Sequence, residues 1–337
     1  MKHQLSSQEN KTNSKTIKIT KQSGIPLIGC IAFGILDRGT NLLQVRCTSI
    51  CNANCGFCST DGGSNSKWHK TNYLVDIDYL TEELKKITKI KGDNLIIFLD
   101  SVGEPLTHPD FIELIKKIKQ IPEVKEIITI TNGILLTKEK INELEKAGLT
   151  RINISLHATD PELAKELFGM PSYNINNLLE IINYIKNTKI DLMLTPVYLP
   201  GINDQEIEKI IQLCKQINCK IGLQKYETYK YSRKLKQAKK INYWKFKQKL
   251  TEWEEKYKIP LKVIKQDLNI EKRPRIPEIF KIGEKVNVKV IAPGWLPNQM
   301  IGVAKDRCIS INNCKKPIGD SVNIKILQNK NNLYLAE

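Results

Sequence analysis

The sequence lacks any run of 18 apolar residues, so no segment is predicted to span a membrane. Residues 1–24 contain no apolar stretch of the kind that forms a secretory signal. Their polar, Lys-rich composition predicts a disordered or surface-binding basic arm. Together these absences predict a cytoplasmic protein. The 337 residues are enough for one large globular domain and one small appended domain.

Acidic residues are the scarcer charged class. The chain has 36 Asp and Glu against 53 Lys and Arg, which gives a formal net charge of +17. Such an excess favours a polyanionic partner, nucleic acid above all. Lys, Ile and Asn are all abundant, however, and AT-rich coding would produce the same bias. Charge alone does not separate these two interpretations.

The nine cysteines are many for a chain with no export signal. In a reducing compartment they are expected to be metal ligands or buried thiols rather than disulfides. Cys51, Cys55 and Cys58 have the spacing C-x3-C-x2-C, which lets three thiolates bind three irons of a cubane cluster and leaves the fourth iron open. The alternative is a structural zinc site, with Cys47 as the fourth ligand.

The middle of the chain alternates strand-like and helix-like segments. Strands are predicted at residues 42–50, 94–100, 126–131, 151–157, 191–198 and 220–224, and helices at residues 77–90, 109–121, 138–147, 161–168, 175–186 and 204–217. This alternation predicts an α/β fold with a parallel sheet. Six units are too few for a closed eightfold barrel, so residues 25–265 are predicted to form a partial (βα)6 barrel. Its site is expected at the carboxyl ends of the strands.

The alternation of strand-like and helix-like segments ends after residue 224. A helix is predicted at residues 243–257, and residues 266–281 are predicted to be a linker that contains the basic segment KRPRIP. From residue 282 to residue 337 short alternating strands are separated by Gly and Pro. This pattern predicts a small all-β barrel.

The cysteine segment, with Phe57 before the last cysteine, resembles the signature of the radical S-adenosylmethionine (SAM) superfamily over about residues 35–265. The resemblance implies a [4Fe–4S] cluster whose open iron chelates S-adenosylmethionine. It also implies cleavage to methionine and a 5′-deoxyadenosyl radical, with ferredoxin or flavodoxin as electron donor. Asp37-Arg38-Gly39-Thr40 and Leu199-Pro-Gly-Ile-Asn203-Asp204 are similar to an archaeal branch without a secure biochemical assignment.

The segment Val102-Gly103-Glu104-Pro105 resembles the Gly-Gly-Glu-Pro motif of the superfamily, with Val in place of the first Gly. In the family this motif holds the methionine amino group, so the resemblance assigns Gly103 and Glu104 to cofactor binding. Glu104 has a second interpretation as an acidic residue at a helix N-terminus.

Four further cofactor positions follow from strand ends that resemble those of the family: Asn132, Ser155, Val197 and Gln224. With Phe57, Gly103 and Glu104 they complete the predicted S-adenosylmethionine site. The alternative interpretation of Asn132 is a residue of an Asn-Gly turn. The sequence leaves three roles open for His157: a ribose contact, a substrate contact or a structural role. No catalytic residue is assigned.

The C-terminal segment resembles a TRAM domain, an RNA-binding barrel with an OB-like fold, through Gly283-Glu-Lys-Val-Asn-Val-Lys-Val and Gly319-Asp-Ser-Val-Asn-Ile-Lys-Ile. The predicted RNA contacts are its basic residues: Lys285, Lys289, Lys305, Arg307, Lys315, Lys316 and Lys325. Exposed lysines on alternating strands are also what a solvated barrel face would show.

Three functions remain open from the sequence. The first is an RNA-modifying radical enzyme that acts above all on a tRNA base. The second is a peptide- or protein-modifying radical enzyme, for which Cys214, Cys219, Cys308 and Cys314 are the candidate ligands of an auxiliary cluster. The third is a non-catalytic iron–sulfur protein that binds RNA. Cys30 is expected to be a buried thiol, and Trp68 and His69 are candidates for the substrate mouth.

Overall fold

The computed structural model describes residues 15–264 and 266–337. Its strands are β1 Lys15–Ile19, β2 Gly34–Asp37, β3 Leu42–Arg46, β4 Thr71–Val75, β5 Leu95–Leu99, β6 Val124–Thr131, β7 Arg151–Ile154, β8 Asp191–Leu194, β9 Val197–Tyr198, β10 Lys220–Ile221, β11 Gln224–Lys225, β12 Lys285–Pro293, β13 Met300–Ala304, β14 Arg307–Ile311, β15 Ser321–Gln328 and β16 Leu335–Ala336. Its helices are α1 Ile77–Lys91, α2 Phe111–Lys119, α3 Lys138–Ala147, α4 Pro161–Phe168, α5 Ile175–Ile185, α6 Asp204–Ile217 and α7 Tyr243–Tyr257.

Side-chain caps fix where several helices begin. Thr137 accepts a hydrogen bond from the third residue of α3, and Asp160 and Asn242 do the same for α4 and α7. Gly148 and Gly169 follow α3 and α4 in the left-handed conformation, which closes the last turn. These local signals explain why the predicted bounds of α3, α4 and α7 agree with the structure.

The main sheet has seven strands in the order β10-β8-β7-β6-β5-β3-β2. Six of them are parallel, and β2 pairs antiparallel with β3 at the edge. The short pair β9–β11 continues beyond β8 and β10 in the same direction. The predicted α/β partial barrel is therefore confirmed, and all its parallel strands end at the same rim.

The expected basic arm requires a correction. Residues 1–14 lie outside the described part of the chain, but residues 15–19 form β1, which pairs in parallel with β4. The alternation of Ile17 and Ile19 with lysines supplies one apolar face, and Ile19 is fully buried. Both β1 and β4 were missed by the sequence prediction, as was the edge strand β2.

The predicted linker is held against the core. Lys91 and Asp37 form an ion pair of 2.7 Å with side chains 0% and 1% exposed. The Lys91 ammonium also donates to the carbonyl of Pro274, and Asp37 accepts from the amide of Ile276. The buried pair therefore fixes residues 272–277 on the Asp37-Arg38-Gly39-Thr40 turn.

The C-terminal strands form a closed barrel in the order β12-β13-β14-β16-β15. The barrel is docked on the N-terminal part of the core. The amide of Cys308 donates to Ile28, the amide of Tyr334 donates to Gly29, and the Tyr73 hydroxyl donates to Pro293. A Cβ on Gly29 would lie 2.0 Å from the Cys308 carbonyl oxygen, so only glycine permits this approach.

Among the helices of residues 15–264 and 266–337, none combines the length and the apolar character that a membrane span requires.

Candidate active site

A cavity of about 370 Å³ opens at the carboxyl ends of the parallel strands. Its lining includes every cluster and cofactor residue predicted from the sequence: Cys51, Cys55, Phe57, Cys58, Gly103, Glu104, Asn132, Ser155, Val197 and Gln224. These residues come from the loops after β3, β5, β6 and β7 and from the short strands β9 and β11. The fold therefore brings together side chains that are up to 173 positions apart in the sequence.

The three cysteines of the C-x3-C-x2-C segment lie on one wall of this cavity. Burial raises the pKa of Cys51 to about 12 and raises that of Cys55 further, and the nearby Cys58 adds to both effects. Without metal these two thiols therefore stay protonated, and metal binding would release their protons.

The zinc alternative is wrong for this loop. Cys47 is fully buried and is not among the residues that line the cavity. Within the described chain, no three His, Cys, Asp or Glu side chains converge on the position of a single metal ion. Cys47 therefore does not complete a four-thiol site with Cys51, Cys55 and Cys58.

Glycines permit the close packing of the cluster loop, residues 51–68. A Cβ on Gly63 would lie 1.9 Å from the Ala53 carbonyl oxygen, and Gly63 has φ +98°. A Cβ on Gly103 would lie 2.3 Å from the carbonyl oxygen of Ile50. Val102 replaces the first glycine of the family motif without strain, because its side chain is buried and its carbonyl accepts from Thr60 at 2.7 Å.

Arg233 ties the cluster loop to the segment that follows β11. Its Nε donates to the Asp61 carboxylate at 2.7 Å, and its guanidinium donates to the carbonyls of Cys55 and Gly62. Its backbone amide donates to Cys58 at 2.9 Å. The charge also lowers the pKa of Cys51 and Cys55, against the larger effect of burial. The sequence prediction missed this residue.

Asp61 is the partner that organises the rest of the loop. Its other carboxylate oxygen accepts from the Ser66 hydroxyl and from the amides of Lys67 and Trp68, all within 2.9 Å. The side chain is only 1% exposed. Asp61 and Arg233 together therefore set the path of the chain after the last cysteine.

Glu104 is 2% exposed, and its carboxylate is engaged by the protein. One oxygen accepts from the amide of Leu106 at 3.1 Å and the other from the amide of Asn132 at 2.7 Å. Burial raises the pKa of Glu104 to about 7, although these hydrogen bonds act in the opposite direction. The side chain thus caps the short helical turn Pro105–Thr107, as its second interpretation predicted, and joins the ends of β5 and β6.

Asn132 is both a turn residue and a cavity residue. Its side-chain oxygen accepts from the amide of Ile134, and its side-chain nitrogen donates to Asn52 of the cluster loop at 2.7 Å. Ser155 lies on the next strand end, where its amide donates to Thr131.

His157 is buried, and its Nδ1 accepts from the amide of Val197 at 3.1 Å. Burial lowers the pKa of His157 to about 3, so the ring is neutral and its proton is on Nε2. The ring packs edge-on against Phe57, with centroids 4.7 Å apart. It therefore has a structural role, and it also lines the cavity.

Tyr173 provides a test of whether the site fits a cluster. Its hydroxyl is buried and has no hydrogen-bond partner within the described chain. The ring stacks on Phe168, and burial, with a contribution from nearby Cys55, raises the pKa of the hydroxyl. An orphaned donor beside a cluster thiol is what a sulfur acceptor would satisfy.

Trp68 and His69 lie beside the cavity rather than in its lining. The Trp68 ring is 38% exposed and contacts Tyr231, with centroids 5.1 Å apart. His69 is buried against Trp295 of the C-terminal barrel at 4.1 Å, and the amide of Lys70 donates to the Trp295 carbonyl. The barrel therefore touches the segment that continues the cluster loop.

Four of the other six cysteines lie in two pairs, and Cys47 and Cys314 belong to neither pair. Cys214 and Cys219 interact through their side chains at the end of α6. Cys308 is buried near Cys30, and its thiol donates to the carbonyl of Pro26 at 3.0 Å. Cys314 lies on the loop after β14.

The predicted RNA contacts divide into two groups. Lys285, Lys289, Lys305, Lys315, Lys316 and Lys325 are exposed. Lys285 and Lys325 lie directly opposite each other on β12 and β15, so two like charges face across the ladder. Arg307 is 8% exposed, and its guanidinium donates to the carbonyls of Asp306 and Pro277. Its prediction as a surface contact is therefore wrong, because the side chain anchors residue 277.

A model of the radical SAM superfamily matches residues 45–214, just over half of the chain, and the chain belongs to this superfamily. The superfamily uses a [4Fe–4S] cluster and S-adenosylmethionine, so the predicted cofactors are confirmed.

Among individual proteins, the chain is 40% identical to an uncharacterized protein of Methanocaldococcus jannaschii, over 97% of this chain and 81% of that protein. The uncovered 3% is shorter than the C-terminal barrel, so the similarity extends into the barrel. The chain is also 30% identical to GTP 3′,8-cyclase of Aquifex aeolicus, over 57% of this chain and 58% of that enzyme.

Among solved structures, Streptococcus suis SuiB bound to S-adenosylmethionine matches with a TM-score of 0.51 at 17% identity. The match covers 70% of this chain and 49% of SuiB. At this identity the likeness shows the fold alone. The chain spans about half the length of the cyclase and of SuiB.

Proposed function

We propose that the chain is a radical SAM enzyme that modifies RNA, above all a base of tRNA. The observation that carries the proposal is the basic barrel docked beside the cluster loop. None of the ion pairs within residues 15–264 and 266–337 involves Lys285, Lys289, Lys315, Lys316 or Lys325. Lysines that face each other without an acidic partner cost stability, and a polyanion would offset that cost.

Two of these lysines are connected through a barrel loop to the segment that continues the cluster loop. Lys315 and Lys316 follow Cys314, whose amide donates to Asn298. Asn298 belongs to the loop between β12 and β13, and the same loop carries Trp295, whose ring contacts that of His69. A bound RNA strand could therefore contact the barrel and reach the cavity at once.

Within the cavity, Cys51, Cys55 and Cys58 are proposed to hold the cluster. Phe57, Gly103, Asn132, Ser155, Val197 and Gln224 are proposed to surround S-adenosylmethionine, with Glu104 positioning the Asn132 turn. When bound, these cofactors supply the one-electron cleavage that generates the 5′-deoxyadenosyl radical. The protein orients the bound groups and excludes water, and a soluble ferredoxin or flavodoxin is the proposed reductant.

A second candidate substrate is a free purine nucleotide. The similarity to GTP 3′,8-cyclases covers about half of this chain, and their name states that they act on GTP. The basic barrel favours the polymer, because a nucleotide that fits in the cavity would not need phosphate contacts on a separate domain.

The test is the nucleoside composition of bulk tRNA from a strain that lacks this protein. We expect one modified nucleoside to disappear and its precursor to accumulate. The wild-type chain should restore it, whereas Cys55→Ala should not, and Lys285→Glu with Lys325→Glu should restore it only in part. An unchanged profile of tRNA and other RNA would contradict the proposal and favour the free nucleotide. The barrel packs on residues 26–29, so its deletion would expose this part of the core. Point variants are therefore preferable to deletion of the barrel.

A further inference from the structure

The segment after β11 places aromatic rings and lysines at the rim of the cavity. Tyr229 lines the cavity, yet its side chain is 62% exposed. Tyr231 contacts Trp68 of the cluster loop, and the Lys230 ammonium lies 5.1 Å from the centre of the Tyr231 ring. We call Trp68, Tyr229, Lys230 and Tyr231 the aromatic strip.

The strip is held in place by hydrogen bonds to the cluster loop. The Ser232 hydroxyl donates to the carbonyl of Ser59 at 2.9 Å and accepts from the amide of Tyr229 at 2.7 Å. The next residue is Arg233, whose ion pair with Asp61 fixes the turn from the other side. The rings are therefore presented on a fixed backbone, which reduces the entropy lost when a ligand stacks on them.

The segment that carries the aromatic strip is strongly basic. Residues 225–240 contain six Lys and one Arg but a single acidic residue, Glu227. Glu227 is already paired with Lys225 at 2.9 Å. Lys234 and Lys236, which follow the rings, are exposed and form no ion pair within the described chain.

We infer that the aromatic strip binds unpaired nucleotides of a nucleic-acid strand next to the cavity. Exposed rings offer faces on which bases stack, and the lysines beside them attract the backbone phosphates. A duplex hides its base faces, so the strip selects a single-stranded loop or a splayed strand. An acidic peptide would use the lysines but would gain little from flat rings. This inference rests on the proposed function, since it specifies which form of RNA reaches the cavity.

The test is binding of the full chain to a fluorescent single-stranded RNA of about twelve nucleotides, followed by anisotropy. Tyr229→Ala and Trp68→Ala should each weaken binding by about tenfold, whereas Tyr229→Phe keeps the ring and should bind normally. The salt dependence should not change, because no charge is removed. Tyr243→Ala is the matched control, since Tyr243 is 63% exposed on α7 and no contact links it to the strip.

Equal affinity of the Tyr229 and Tyr243 variants would overturn the inference, as would equal affinity for the same sequence in a duplex. Competition by polyglutamate at the same charge concentration would assign the surface to acidic peptides instead. The nucleoside profile is independent of these results. If the nucleoside profile changes but Tyr229→Ala does not weaken RNA binding, only the inference about the aromatic strip is rejected. If RNA binding depends on the strip but the nucleoside profile is unchanged, only the proposed RNA modification is rejected.

Discussion

Replacement of Arg233 by Met removes a charge but retains an unbranched apolar side chain. The Asp61 carboxylate, 1% exposed, then loses the one cationic partner that it has within residues 15–264 and 266–337. Breaking a buried pair from one side costs about 3–5 kcal/mol. Because Asp61 retains three other hydrogen-bond donors and Arg233 is 16% exposed, the lower end of that range, about 3 kcal/mol, is expected.

The assay is urea unfolding of the cluster-free chain, combined with hydrogen exchange of the cluster loop. We expect faster exchange of the Lys67 and Trp68 amides, because the carboxylate that accepts from them is no longer anchored. Arg38→Met is the control, since Arg38 makes an exposed hydrogen bond to Gln44. Unchanged exchange at Lys67 and Trp68 would refute the anchoring role of Arg233. In the loaded protein, loss of this positive charge should lower the reduction potential of the cluster.

Three further outcomes are expected. The visible absorbance of the reconstituted cluster should be abolished by each of Cys51→Ala, Cys55→Ala and Cys58→Ala, whereas Cys314→Ala should retain it. Absorbance that persists when all three cysteines are replaced would contradict the assignment. The raised pKa of Glu104 means that its contribution to apo-protein stability is fully present below pH 4.5 and is lost as pH rises through about 7. The free energy of unfolding is measured at pH 5 and at pH 8 for the wild type and for Glu104→Gln. The difference between the two pH values should change by about 1–3 kcal/mol in the variant. Curves of unfolding free energy against pH that run parallel for the two proteins would contradict this. Lys91→Met should cost about 3–5 kcal/mol on urea unfolding because it leaves Asp37 buried and unpaired, whereas Lys21→Met, whose pair with Glu82 is exposed, should cost under about 1 kcal/mol.

Features with local causes were predictable from the sequence. The bounds of α3 and α4 follow from Thr137, Asp160 and the glycines after each helix, which act within one turn. The ten predicted residues of the cavity were found because each lies at or after the end of a recognisable strand and resembles a family motif. Parallel strands then bring their carboxyl ends to one rim whatever the loops between them contain.

Features that depend on distant contacts were not predictable. Arg233 and Asp61 are 172 positions apart, and nothing in the residues around either one indicates the other. The docking of the barrel on residues 26–29 depends on backbone hydrogen bonds that carry no sequence pattern. Arg307 resembles its exposed lysine neighbours in the sequence, but its guanidinium turns inward to the Pro277 carbonyl. The strand β1 was hidden because its lysines outweigh its two isoleucines in composition.

The most direct test of the central claim is the formation of 5′-deoxyadenosine by the reconstituted, reduced protein in the presence of S-adenosylmethionine. Bulk tRNA from the strain that lacks the protein would be the added substrate, with GTP in a parallel reaction. The account predicts that the tRNA, but not GTP, stimulates 5′-deoxyadenosine formation and acquires a new modified nucleoside. Stimulation by GTP alone, or no cleavage with either substrate, would contradict it.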